Sequence, residues 1–156
     1  MATFEKRTRI EASAARIFAF HEREGALLRL TPPWSHQRVI EPAKSLAVGS
    51  RAVVEVKIGP VKQTIIAEHT AYEPGRMFRD VQVSGPFAKW EHTHLMEPDG
   101  DDAAFLVDHI EYELPLGILG RMFGGWFARR NLERLFEYRH RVTKEACEGH
   151  GDRLLA

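Results

Sequence analysis

In the run GPFAKWEHTHL (85–95), Trp90, His92 and His94 alternate with Lys89, Glu91 and Thr93. A β-strand sends alternate side chains to opposite faces. With the lysine–glutamate face in water, two imidazoles and an indole point into the protein. Imidazoles in an interior hold a metal, move a proton or line a pocket, and each use needs partners. A hairpin centred near Gly100 in PDGDD (98–102) sets His92 opposite Asp108 and Trp90 opposite Ile110. A hairpin at EPGR (73–76) sets His69 opposite Asp80, with Gln82 on the same face. On 103–114, Leu106, Asp108, Ile110, Tyr112 and Leu114 share the inward face, and His109, Glu111 and Glu113 the outward one.

The result is an inward row of His69, Asp80, Gln82, His92, His94 and Asp108. Burying such groups without partners costs roughly a few kcal/mol each, so they pair with one another, with water or with a ligand. A carboxylate beside an imidazole favours the imidazolium and holds one tautomer. Three explanations stay open: a satisfied polar network in the core, hydrogen-bond anchors in a ligand pocket, or a metal site. His-X-His puts two imidazoles within reach of one ion, with His69 or Asp108 as third ligand. No third ligand sits at a diagnostic spacing, so neither a metal nor any other cofactor is expected. GILGRMFGG (117–125) lacks the GK[ST] ending of a phosphate loop and lies in a helical stripe. There is no GxSxG, and Cys147, in a charged helical tail, reads as inert.

These residues need a frame. Residues 3–10 alternate as a first strand. Ser13 offers an N-cap to a short helix carrying Ile17, Phe18 and Phe20. A second short helix over about 23–30 stops at Thr31-Pro32-Pro33, and Trp34 behind it reads as a plug of the core. Strands are expected at 35–41, 50–58, 62–72, 77–83, 87–97 and 103–114, joined by short Gly- or Pro-bearing loops that imply antiparallel neighbours. A helix is expected over 117–145. Its apolar stripe is Leu119, Met122, Phe123, Trp126, Phe127, Leu132, Leu135, Phe136 and Val142, and Gly120, Gly124 and Gly125 weaken its first turns. The fold class is α+β. A seven-stranded antiparallel sheet with one polar face must cover the other, and curling around the one long helix leaves a cavity that the two short helices close.

At 156 residues the chain reads as one domain, 1–156. Lysine plus arginine and aspartate plus glutamate number 22 each, so no charge steers it to nucleic acid or anionic lipid. No signal peptide or membrane-inserting run appears, and a cytoplasmic location is the default expectation. One cysteine excludes an internal disulfide and a cysteine-based zinc cage.

Four segments, GALLRLTPPW (25–34), AYEPGRMFRDVQVSGPFAKWEHTHL (71–95), DHIEYELP (108–115) and FEYRH (136–140), resemble the START/polyketide-cyclase (SRPBCC) superfamily. The GPFxxWxHxH run points to its small bacterial ligand-binding, cyclase/dehydrase-like branch. The resemblance implies a helix-grip fold, a curved seven-stranded sheet around a C-terminal helix enclosing a hydrophobic cavity. The fold alone selects no function; with the inward residues, the expectation is a small, mainly hydrophobic ligand anchored by His92, His94 and Asp108, with His69 and Asp80 secondary. Trp90, Tyr112, Met122 and Trp126 would form apolar wall. The alternative is a cyclase, dehydratase or isomerase using His92 and Asp108 as an acid/base pair, and a protein-interaction module is a third reading. The iron triad of the superfamily's oxygenase subunits is not carried over, because no Rieske domain or matching spacing is present. A functional link to an epimerase-like protein is implied by fusions within the branch. A homodimer is left open.

Overall fold

The computed structural model describes residues 1–58, 60–115 and 124–149, with backbone alone at 58. Alternating polarity makes β1 (Ala2–Ile10), which buries Phe4 and Ile10. Ser13 then caps α1 (Ala14–Glu22): it is extended, and its hydroxyl accepts from the Arg16 N–H at 3.2 Å. Ile17, Phe18 and Phe20 form the buried side of α1. A single turn, α2 (Ala26–Arg29), ends ahead of Pro32-Pro33. Six strands follow: β2 (Gln37–Glu41), β3 (Arg51–Ile58), β4 (Val61–Glu73), β5 (Met77–Ser84), β6 (Lys89–Pro98) and β7 (Ala104–Glu113). The last described element is α3 (Gly125–Cys147).

The strands make one seven-stranded antiparallel sheet in the order β1-β7-β6-β5-β4-β3-β2. Between β4 and β5, His69 pairs with Asp80 as the hairpin arithmetic requires. Between β6 and β7 the register differs from expectation by two residues: His94, not His92, lies opposite Asp108, and Trp90 lies opposite Tyr112. The reason is the loop. The Asp99 N–H donates to the Ala103 carbonyl at 2.9 Å, with Gly100 at φ 80°, so the turn closes one position later than Gly100. A shift of two moves every partner and leaves every face unchanged. The outer face of β6 is tied by cross-strand pairs, Arg79 to Thr93 at 2.9 Å and Lys89 to Glu111 at 3.4 Å.

Helix α3 lies across the inner face, packed on β1 and α1. Its buried line is Leu132, Phe136, His140 and Thr143, spaced to recur on one side of a helix. Two expectations for this region are corrected. Trp126 and Phe127 are 72% and 59% exposed, because they lie roughly 120° and 140° around the helix from Leu132 at about 100° per residue. Trp34 is no core plug either: at 45% exposure it sits outside α3, beneath the Arg134 guanidinium and edge-on to Tyr138. The expected helical stretch 117–123, with Met122, lies outside the described residues.

Candidate functional site

Asp108 is the hub. It occupies the middle of β7, between β1 and β6, and its side chain is 4% exposed. Its Oδ1 accepts from Nε2 of His92 at 2.7 Å and from Nδ1 of His94 at 2.9 Å. Its Oδ2 accepts from Nε2 of His140 at 2.6 Å. His92 reaches it diagonally and His94 from directly opposite, both geometries available to facing strands. Thr8 on β1 occupies the other nitrogen of His140 at 2.7 Å. Asp80 on β5 accepts from Nε2 of His94 at 3.0 Å, and its Oδ2 lies 3.9 Å from Nδ1 of His92. The rings stack as a ladder: Phe78 on His94 at 3.9 Å, then His94 on His92 at 3.6 Å, with Trp90 edge-on to His92.

The ladder separates the two imidazoles electrically. Burial opposes charge on His94, but Asp108 and Asp80 outweigh it and raise its pKa to about 9. That ring is therefore an imidazolium donating from both nitrogens. Burial and the neighbouring His94 charge lower the pKa of His92, against the pull of Asp108 and Asp80. Burial acts against both carboxylates, yet His94 and the other imidazoles hold Asp80 below its usual range and Asp108 well below it. Among the described residues, no fully buried side-chain nitrogen or oxygen lacks a hydrogen-bond partner.

Asp108 and His94 also face a cavity of about 20 Å³, shared with His21, Leu30, Leu106, Phe136, Arg139, His140 and Thr143. That is room for about one water-sized group. Asp80, His92 and His94 each bring one ligand atom to within 4.8 Å of the others, a donor set that suits a divalent cation. A cation there has to displace a proton from His94, whose two nitrogens both serve carboxylates.

Of the residues picked from sequence, His92, His94, Asp108 and Asp80 are joined in one network. His69 is buried beside it, its Nδ1 3.3 Å from the Ser50 carbonyl oxygen, and burial lowers its pKa. Gln82 leaves the row: its amide bonds the Phe87 backbone on both sides, bracing the β5–β6 loop. Trp90 and Tyr112 lie at the inner face with Phe87, away from the cavity lining. Trp126 is exposed and forms no wall to this cluster. Sequence reasoning missed His140, Arg139, His21 and Thr8. The signals were present: His140 continues the Leu132–Phe136 line of α3, and His21 follows Ile17 by one turn of α1.

Solved structures with this fold include part of a nucleoside-diphosphate sugar epimerase from Corynebacterium glutamicum, at TM-score 0.71 and 24% identity. The match covers 91% of this chain and spans 28% of the epimerase's length. Norcoclaurine synthase from Thalictrum flavum, in complex with dopamine and hydroxybenzaldehyde, aligns at TM-score 0.69 and 14% identity, covering 95% of this chain and 87% of its own. A START superfamily protein from Mycobacterium smegmatis aligns at TM-score 0.66 and 17% identity, covering 97% and 98%. At these identities the likeness shows the helix-grip fold alone. No functionally curated protein matches the sequence. No helix among the described residues is long and apolar enough to cross a membrane. The family profile described as polyketide cyclase/dehydrase and lipid transport matches residues 10–136, and the chain belongs to that family.

Proposed function

We propose that the chain binds a small, mainly hydrophobic molecule between the sheet and α3, with its polar end at His94 and the Asp108 network. The observation that carries this reading is the mixed lining of the cavity, where the polar His94, Asp108, Arg139 and His140 meet the apolar Leu30, Leu106 and Phe136. Ligand sites combine apolar lining with a few convergent polar groups. The cavity accepts one polar atom, whereas sites for drug-sized molecules span roughly 300–1,000 Å³. Binding therefore parts α3 from the sheet, and the ligand's apolar body replaces contacts made by Phe136 on the Trp90 side. Trp90 and Tyr112 would extend the wall, and His92, His69 and Asp80 would hold His94 in place. Similarity to a synthase solved with two small aromatic compounds supports a ligand of this kind, and similarity to part of a sugar epimerase supports a functional link to such a protein. Native mass spectrometry and solvent extraction of protein purified from its own host should recover a stoichiometric small molecule. Calorimetry with that molecule should show His94→Gln weakening it by roughly tenfold, about 1.4 kcal/mol, because loss of the buried imidazolium changes the charge that the cavity lining presents. Protein that carries nothing, or an unchanged affinity in an equally stable variant, would count against the reading.

One observation favours catalysis in the same space. His94 and His92 stack at 3.6 Å with pKa values displaced in opposite directions, and neighbouring groups pushed apart in this way serve as acid and base. A cyclase, dehydratase or isomerase would use His94 as acid and the Asp108-oriented His92 as base. His92→Asn should then abolish turnover of the co-purifying molecule and keep its affinity; no turnover in wild type would remove this reading.

A further inference from the structure

The polar groups around the cavity can be counted off by their hydrogen bonds. His94 spends both nitrogens on Asp108 and Asp80, and His140 both on Asp108 and Thr8. Asp108 accepts from three imidazoles, and Thr143 donates to the Arg139 carbonyl at 2.8 Å. Beyond the acceptor lone pairs left on Asp108 and Thr143, two side chains keep open capacity among the described residues. Nδ1 of His21 donates to the Ile17 carbonyl at 2.8 Å, which leaves Nε2 as a bare lone pair. Burial holds that ring neutral, with a pKa near 4. Arg139 donates from Nε to the Leu30 carbonyl at 3.1 Å and lies over the Phe136 ring at 5.3 Å. Its two Nη groups hold no hydrogen bond among the described residues.

We propose that this cavity is a subsite for one hydroxyl group of the ligand, which donates to Nε2 of His21 and accepts from the Arg139 guanidinium. The proposal rests on the small-molecule reading above and names the polar end of that molecule. Volume for about one oxygen fits a hydroxyl. A carboxylate sets an oxygen lone pair against that of His21 and adds negative charge beside Asp108 and Asp80. An ammonium faces Arg139. A hydroxyl both donates and accepts, matching an acceptor on one side and a cation on the other. A phenol suits best, since its acidic proton serves His21 while the charge drawn onto its oxygen faces Arg139.

Paired probes that differ by hydroxyl against methyl, p-cresol and p-xylene, test this by ligand-observed NMR titration. In the wild type p-cresol should bind about tenfold tighter, the worth of one net hydrogen bond. His21→Asn keeps an amide donor toward Ile17 and removes the Nε2 acceptor, and Arg139→Met removes the guanidinium. In either variant, with thermal unfolding unchanged, the two probes should bind alike. Arg139→Lys keeps a charged donor and should recover part of the preference. Equal wild-type affinity for the two probes overturns the subsite and leaves the small-molecule reading standing. A cresol preference that survives both substitutions overturns it as well. Failure of both probes to bind also overturns it, and the extraction experiment then decides the wider reading separately.

Discussion

The interior has two apolar halves, and the Asp108 network divides them. One half gathers Ile10, Ala12, Ile17, Phe18, Phe20, Leu30, Phe78, Met96, Ala104, Leu106, Ala146 and Cys147, all buried. Helix α1 and the end of α3 close it. The other half has Phe4, Ile110, Tyr112, Leu132 and Phe136 buried, but Phe87, Trp90, Leu114 and Leu135 only partly so. Among the described residues no second helix covers it. Fully buried contacts carry global stability, and sparse, half-wet contacts open at lower cost. The difference assigns stability to the α1 half and the entry of a ligand's apolar body to the Trp90 half, with the polar network as the wall between them.

The sharpest way to break this picture is to remove the wall. Asp108→Ala leaves three imidazoles, one of them cationic, without their shared acceptor. Removing one partner of a buried ion pair typically costs about 3–5 kcal/mol, so urea unfolding should show a loss of that order. A loss below about 1 kcal/mol, the range of surface pairs, would mean that the network is hydrated rather than dry.

Matched truncations on either side come next. Phe18→Ala, in the closed half, should cost about 3–5 kcal/mol, the usual range for a buried phenylalanine, and leave p-cresol affinity unchanged. Trp90→Ala should cost clearly less stability and weaken ligand binding more. Equal losses in both assays would erase the distinction between the halves.

Acidity gives a third, smaller effect. His94 faces Asp80, Asp108, His92, His69, His21, His140 and Arg139. Its folded pKa, about 9, lies above the unfolded 6.5, so its stabilisation is complete below pH 6.5 and is lost as pH rises through 9. The gap corresponds to about 3 kcal/mol at most. His21, lowered to about 4, refuses a proton that the unfolded chain accepts, so stability falls as pH drops from 6.5 toward 4. His92 and His69 are lowered in the same direction and add to that loss. Asp80 and Asp108, depressed below the unfolded 3.8, withdraw their share at still lower pH. Unfolding free energy should peak near pH 6.5, and His94→Asn should flatten the alkaline limb and also alter the acid one, since the His94 charge lowers His92, Asp80 and Asp108. An unaltered alkaline limb in that variant would place the cation elsewhere. The smallest effect is expected at Trp126, 72% exposed: its change to alanine should stay within about 0.5 kcal/mol, as for other surface positions.

The order of strands and helices, the antiparallel sheet and the inward face of β6 and β7 were legible because they follow from short-range rules. Period-two alternation, an N-cap serine and paired prolines act over a few residues. The hairpin at EPGR put His69 opposite Asp80 correctly, whereas PDGDD misled by two residues, since a hydrogen bond inside that loop, not its composition, sets where the strands meet. His140, Arg139 and His21 were harder. Which side of a helix meets the sheet depends on how the helix docks, and docking is settled by contacts between residues far apart in the chain. For the same reason Trp126, on an apolar stripe in sequence, faces water. By itself the sequence determined the fold class and which strand faces could carry chemistry, because alternation is a local property of the backbone. Only the tertiary structure decided that three imidazoles from β6 and α3 share Asp108, because electrostatic partnership depends on distances that no local rule sets.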